Sequence, residues 1–118
     1  MNNWKDSFKK IDEFDFYDPE TDSSQGHADK YFMDDLKNIK KSDIMIANPG
    51  IIASEATWAE IGYFYALNVK KLGKFCNKLI IIWDKKRKPK WSLDFVKKMG
   101  IVVSSKNKAI KELKKIKK

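Results

Sequence analysis

Glu60 is the side chain in this sequence best placed to do chemistry. It falls in Thr57-Trp58-Ala59-Glu60-Ile61-Gly62-Tyr63, between a turn at Asn48-Pro49-Gly50 and a run with helical periodicity through Ile61, Tyr65 and Asn68-Val69. A carboxylate can act as a nucleophile or steady a developing positive charge. Near a helix start the local dipole keeps it ionised, which a nucleophile requires and a general acid does not. The same spacing has a plainer reading. Thr57-x-x-Glu60 matches a capping box, in which the glutamate reaches back to a backbone N–H. A cap changed to glutamine loses little; a nucleophile changed to glutamine loses turnover.

The remaining candidates are weaker alone. Asp35 stands one position before Leu36 on a helical pattern, so it can border the core and still point to the strand ends; an ordinary solvated acid is the alternative. Asp43 reads as fixing backbone ahead of a strand. Asn48 and Pro49-Gly50 line the presumed crevice by position. Ser54 suits a helix cap better than a ligand contact, and Trp58 either stacks on a base or belongs to the core. His27 is the sole histidine, in a polar loop beside Asp29, and Cys76 is the sole cysteine, so neither a metal site nor a disulfide framework is expected. No Gly-rich phosphate loop of the usual types is present, and no cofactor is expected.

These residues need strands and helices to position them. Trp4, Phe8 and Ile11 have the spacing of a helical face, and Glu13–Tyr17 reads as a short strand closed at Asp18-Pro19. A polar loop over Glu20–Gly26 precedes a helix from Ala28 to Lys41, with Tyr31, Phe32, Leu36 and Ile39 facing inward. Ile44-Met45-Ile46-Ala47 reads as a buried strand. Gly73 is expected to end the helix carrying Glu60, or its immediate extension. Lys78–Asp84 is apolar, β-branched and unalternating, like a strand covered on both faces. A basic loop, a helix over Trp91–Lys98, a strand over Ile101–Ser105 and a basic amphipathic helix within 106–118 complete the chain. Strands alternating with helices predict a parallel sheet, and its ligands belong in the crevice beyond the carboxyl ends of the strands.

Composition narrows the class. The 118 residues suffice for a single small domain, 1–118, and no internal repeat or linker divides them. The apolar runs near Leu79–Trp83 and Ile101–Val103 are too short to span a bilayer, and MNNWKDSFKK lacks the apolar stretch of a signal peptide. With one cysteine, this predicts a cytoplasmic protein with no membrane association. The net charge of +9 is unevenly spread. Lys106–Lys118 holds seven lysines and one acid, and KKRKPK over Lys85–Lys90 adds five basic residues. Asp12–Asp35 holds nine acids against Lys30 alone. A basic tail can meet nucleic acid, but a solvated lysine face is the better reading. No aromatic residues interleave with the tail lysines to stack bases.

Asp35-Leu36-x-x-Ile39-x-x-Ser42-Asp43-Ile44-Met45, taken with Trp58-Ala59-Glu60-Ile61-Gly62-Tyr63 and Lys88-Pro89, resembles the nucleoside 2-deoxyribosyltransferase family, whose superfamily includes deoxynucleoside monophosphate N-glycosidases. The resemblance covers roughly Asp15 to Ser105. It implies a flavodoxin-like, three-layer parallel sheet, here without the usual first strand, in which a glutamate, Glu60, attacks C1′ of a deoxyribose. Asp35 would hold the sugar or manage the base's proton. The logic is that of retaining glycosidases: an anion stabilises oxocarbenium character at C1′ and can trap it covalently.

Where the transferases carry an aspartate six residues before the glutamate, this chain has Ser54. Where they carry an asparagine near Lys88-Pro89, it has Lys90-Trp91-Ser92, and their terminal aromatic tail is missing. Hydrolysis is thus favoured over base transfer. The implied partners are a small nucleoside or nucleotide and further copies of the chain, as a dimer or higher oligomer. Two other classes remain open: a catalytically silent nucleotide-binding module of the same fold, and a nucleic-acid-binding protein using the basic segments.

Overall fold

The computed structural model describes residues 4–11, 13–18, 28–50, 55–87 and 91–116, without the side chains of residues 28–31 and 91. The expected loop over Glu20–Gly26, His27, Ser54 and Lys88-Pro89-Lys90 lie outside the described residues. The chain groups into two compact units, residues 1–41 and 42–118.

The first unit is helical. Helix α1 spans Asp6–Lys9 and α2 spans Ala28–Lys41. Phe8 is buried and meets Trp4 edge-on at 5.7 Å and Phe16 at 6.3 Å, with Phe14 a further 6.3 Å from Phe16. The strand expected over Glu13–Tyr17 is not formed. Its alternating phenylalanines face this local aromatic cluster instead of a sheet, and the segment ends on Asp18, which is 2% exposed and bonded at 2.7 Å by both Lys5 and Lys9. In α2, Leu36 and Ile39 are half-buried, but Phe32, expected inward, is exposed together with Met33. The buried side chains described in this unit are Phe8 and Asp18, both outside α2.

The second unit is α/β. It runs β1 (Met45–Ala47), α3 (Glu55–Asn68), β2 (Cys76–Ile82), α4 (Trp91–Met99), β3 (Gly100–Val103) and α5 (Lys106–Ile116). The three strands are parallel and lie side by side in chain order. Each strand-to-strand connection is therefore a helical crossover, as the alternating sequence pattern predicts. Leu79, Ile80, Ile81 and Ile82 are all buried; because consecutive residues point to opposite faces, β2 is covered on both. α3 and α5 both pack against this strand, through Ile61 and Phe64 from one helix and Ala109 and Leu113 from the other. Each fully buried Leu or Ile contributes about 1.5–3 kcal/mol, so β2 dominates the core.

Element ends depart from expectation where side chains intervene. α3 stops at Asn68, whose side-chain amide donates to the Phe64 carbonyl at 2.9 Å. Gly73, with φ +91°, belongs to a separate turn, in which the Lys74 N–H donates to the Lys71 carbonyl at 3.1 Å. β3 starts at Gly100 because only glycine fits there: a Cβ would stand 2.8 Å from the Leu79 carbonyl oxygen. The register breaks at this point, with Cys76 opposite Gly100 but Ile80 opposite Ile101. No helix among the described residues is long and apolar enough to cross a membrane.

Candidate functional site

The carboxyl ends of β1 and β2 carry a tightly arranged polar group. Beyond Ala47 the chain turns at Asn48-Pro49-Gly50. Asn48 Oδ1 accepts the Gly50 N–H at 3.3 Å, and Gly50 takes φ +77°, which a side chain would resist. Beyond Ile82, the Trp83 N–H extends the ladder to the Val103 carbonyl at 2.8 Å. Asp84 then closes its own turn: its Oδ1 accepts the Lys86 N–H at 2.8 Å and its carbonyl the Arg87 N–H at 3.0 Å.

That second turn aims Arg87 back at the first. Arg87 Nη1 donates to the carbonyls of Pro49, at 3.4 Å, and Gly50, at 2.8 Å. Its guanidinium carbon lies 5.2 Å from the centre of the Trp58 ring and 5.6 Å from Trp83, and the two indoles meet at 6.2 Å, inclined by 61°. Arg87 is only 9% exposed. A buried charge needs such donors' partners and ring faces to offset its lost hydration. The arginine thus ties the β1 turn, α3 and the β2 turn into one block.

Sequence reasoning places Arg87 in a solvated basic loop, and misses it. One signal could have found it: it is the chain's sole arginine among 24 lysines. A guanidinium offers a flat, weakly hydrated cation that can pack against rings while one of its nitrogens bonds carbonyls, which an ammonium does not. Trp58 is expected either to stack on a base or to join the core, and its ring lies against Arg87 and Trp83. Asn48 sits at the strand end as expected, with its side-chain oxygen engaged in the turn.

Glu60 is half-buried and is the sixth residue of α3. Thr57 is likewise helical, whereas an N-cap residue is not, so the Thr57/Glu60 capping box is not formed. The helix begins earlier than the periodicity suggests. Glu55 is the acid of its first turn, and the dipole argument for keeping Glu60 ionised weakens one turn further in. At 3.6 residues per turn, Glu60 and Trp58 point roughly 160° apart around the helix axis, flanking the buried stripe of Ile61 and Phe64 on opposite sides. Trp58 faces Arg87, and Glu60 serves the other margin. Gly62 has open space where a Cβ would be, so no close packing in the fold accounts for a glycine in mid-helix.

Asp35 lies within the first unit, half-buried on α2, and accepts a hydrogen bond from the Tyr17 hydroxyl at 3.1 Å. Tyr17 is the partner that sequence reasoning did not anticipate. Among the described residues no three His, Cys, Asp or Glu side chains gather as they would around a metal ion. No protein-family model, curated protein or solved structure matches this chain.

Proposed function

We propose that this protein cleaves the N-glycosidic bond of a 2′-deoxynucleoside or its monophosphate, with Glu60 as nucleophile. The observation that carries the reading is where Glu60 lies: inside α3, half-buried at the edge of the packed stripe, on the helix that follows the carboxyl end of β1. Ligands of open parallel sheets bind at that end. One further feature supports it. Three parallel strands side by side in chain order match the last three of the flavodoxin-like order 2-1-3-4-5, the fold that the sequence motifs imply.

In the proposed reaction the Glu60 carboxylate attacks C1′ as the bond to the base nitrogen breaks. The electron pair leaves with the base, which takes up a proton, and the sugar is held as a glycosyl ester of Glu60. Water then adds hydroxide to C1′, releasing the sugar, restoring the carboxylate and returning a proton to solvent. Hydrolysis is favoured over transfer to a second base. Asp35 is assigned the support of sugar or base, tested separately by Asp35→Asn. A dimer or higher oligomer is part of the same proposal.

The test is incubation with each deoxynucleoside and deoxynucleoside monophosphate, with free base separated by chromatography and Glu60→Gln as control. Base released by the parent and not by the variant is expected. No release from any substrate, or equal release by both, overturns the assignment. A sheet of three strands among the described residues, without the family's usual first strand, favours one second reading, a module of the same fold that binds a nucleotide without turnover. Saturable nucleotide binding with no base released would select it.

A further inference from the structure

The turn between α3 and β2 presents apolar side chains to solvent and is held rigidly while doing so. Leu72 is 77% exposed, Phe75 52% and Leu67, at the end of α3, 45%. Single exposed leucines are ordinary, but three such residues within nine positions form a patch that calls for an occupant. The turn Lys71–Lys74 is closed by its backbone hydrogen bond, with φ positive only at Gly73, the signature of a type II turn that puts Leu72 at the apex. The Tyr65 hydroxyl staples it to α3, donating to the Lys74 carbonyl at 2.6 Å and accepting the Gly73 N–H at 3.1 Å. Leu72 and Phe75 flank this staple, so their exposure is built into the fold.

The surroundings carry one sign of charge. Lys70, Lys71, Lys74 and Lys78 accompany the patch, and no acid occurs between Glu60 and Asp84. All four lysines are exposed. A second copy meeting this patch face to face would oppose lysines to lysines. A protein partner of ordinary affinity needs a broad complementary face, on the order of 800 Å² a side, whereas this feature is the tip of a turn. Exposed apolar residues on a turn, with exposed lysines before, within and after it in the chain, match a surface whose anionic groups lie above an apolar layer.

We infer that the 67–78 turn docks this protein on anionic lipid bilayers, with Leu72 and Phe75 entering the interface and the four lysines meeting lipid headgroups. The absence of a spanning helix among the described residues concerns a different mode of association and does not bear on this one.

The test is sedimentation of the full chain with vesicles of phosphatidylcholine alone or mixed with phosphatidylglycerol. The variants are Leu72→Ser/Phe75→Ser, Lys70→Gln/Lys71→Gln/Lys74→Gln and, as a charge-matched control on α5, Lys111→Gln/Lys114→Gln/Lys115→Gln; circular dichroism checks that each is folded. The parent should bind only the anionic vesicles. The serine variant, whose charge is unchanged, and the patch lysine variant should each bind at least about tenfold more weakly, and the α5 control within about twofold of the parent. Undiminished binding by the serine variant, or an equal loss in the α5 control, would mean diffuse charge attraction and overturn the inference. So would no binding to anionic vesicles, including the case where the parent self-associates in sedimentation velocity and the serine variant does not.

Discussion

The guanidinium of Arg87 and the indole of Trp58 are stacked partners, 5.2 Å from carbon to ring centre, although 29 positions separate them in the chain. Trp83 is a second ring against the same carbon, at 5.6 Å, and the carbonyls of Pro49 and Gly50 accept from Nη1. The relationship joins a helix to two strand-end turns, so it fixes the edge of the sheet at which an open α/β fold holds its ligand. It also sets a packed cation, Arg87, directly after two exposed ones, Lys85 and Lys86.

Arg87→Lys should therefore be costly despite conserving charge. Both carbonyls take their bonds from the single nitrogen Nη1, so an ammonium could still meet them, but it lacks the flat, weakly hydrated group that packs against the two rings. A loss of about 1–3 kcal/mol in urea unfolding is expected, whereas Lys85→Ala and Lys86→Ala, at exposed neighbours, should stay within about 0.5 kcal/mol. Equal effects at all three positions would mean that the stack contributes nothing to stability.

Gly100→Ala tests the other tight point of the sheet. The added Cβ would lie 2.8 Å from the Leu79 carbonyl oxygen and 3.0 Å from two Leu79 side-chain carbons, and the backbone of a central strand cannot give way cheaply. A destabilisation of about 1–3 kcal/mol is expected by denaturant titration. Gly62→Ala, with open space around its Cβ, should instead stabilise by up to about 1 kcal/mol by helix propensity. The opposite ordering would place the close approach elsewhere.

The hydrophobic pattern made the α/β plan legible because it is dictated locally. An unalternating, β-branched Leu79–Ile82 run reads as a strand covered on both faces, and Ala109 and Leu113 recur at helical spacing, with lysines on the outer face. What stayed hidden depends on partners distant in sequence. Phe14 and Phe16 alternate as a strand would, yet they follow the ring of Phe8. Arg87 looks like its lysine neighbours until the two tryptophans are brought to it by the fold. At the candidate site, Glu60 was singled out by its neighbours in sequence, but its capping alternative turned on a helix start that periodicity cannot locate to within a turn. Trp58 could not be separated from Glu60 before the direction of each around α3 was known.

Asp18 supplies a prediction for the first unit. Its carboxylate is buried, and each oxygen is bonded at 2.7 Å by an ammonium, Lys5 on one side and Lys9 on the other. The lysines remain 20% and 36% exposed, so solvent screens part of the attraction. Asp18→Asn should cost about 1–3 kcal/mol, less than a fully buried pair would, and should speed proteolysis between residues 4 and 18. The difference from the parent should shrink in high salt. A variant as protease-resistant as the parent would show that the aromatic cluster holds the segment by itself.

Glu60→Gln separates chemistry from architecture. Because Thr57 and Glu60 both lie within α3, the carboxylate is not the cap on which the helix start depends, and glutamine matches glutamate in size and helix propensity. Unfolding should shift by less than about 1 kcal/mol. Glu55→Gln, in the first turn, should cost a comparable 0.3–1 kcal/mol (roughly) through the helix dipole while leaving turnover intact. Base release, by contrast, should fall by ~10³-fold or more in Glu60→Gln alone, since an amide cannot form the glycosyl ester. Two substitutions of the same chemistry, five residues apart on one helix, thus predict matched stabilities and divided activities. Turnover that survives in both variants would leave Glu60 as a residue of the fold and remove the nucleophile from the proposed reaction.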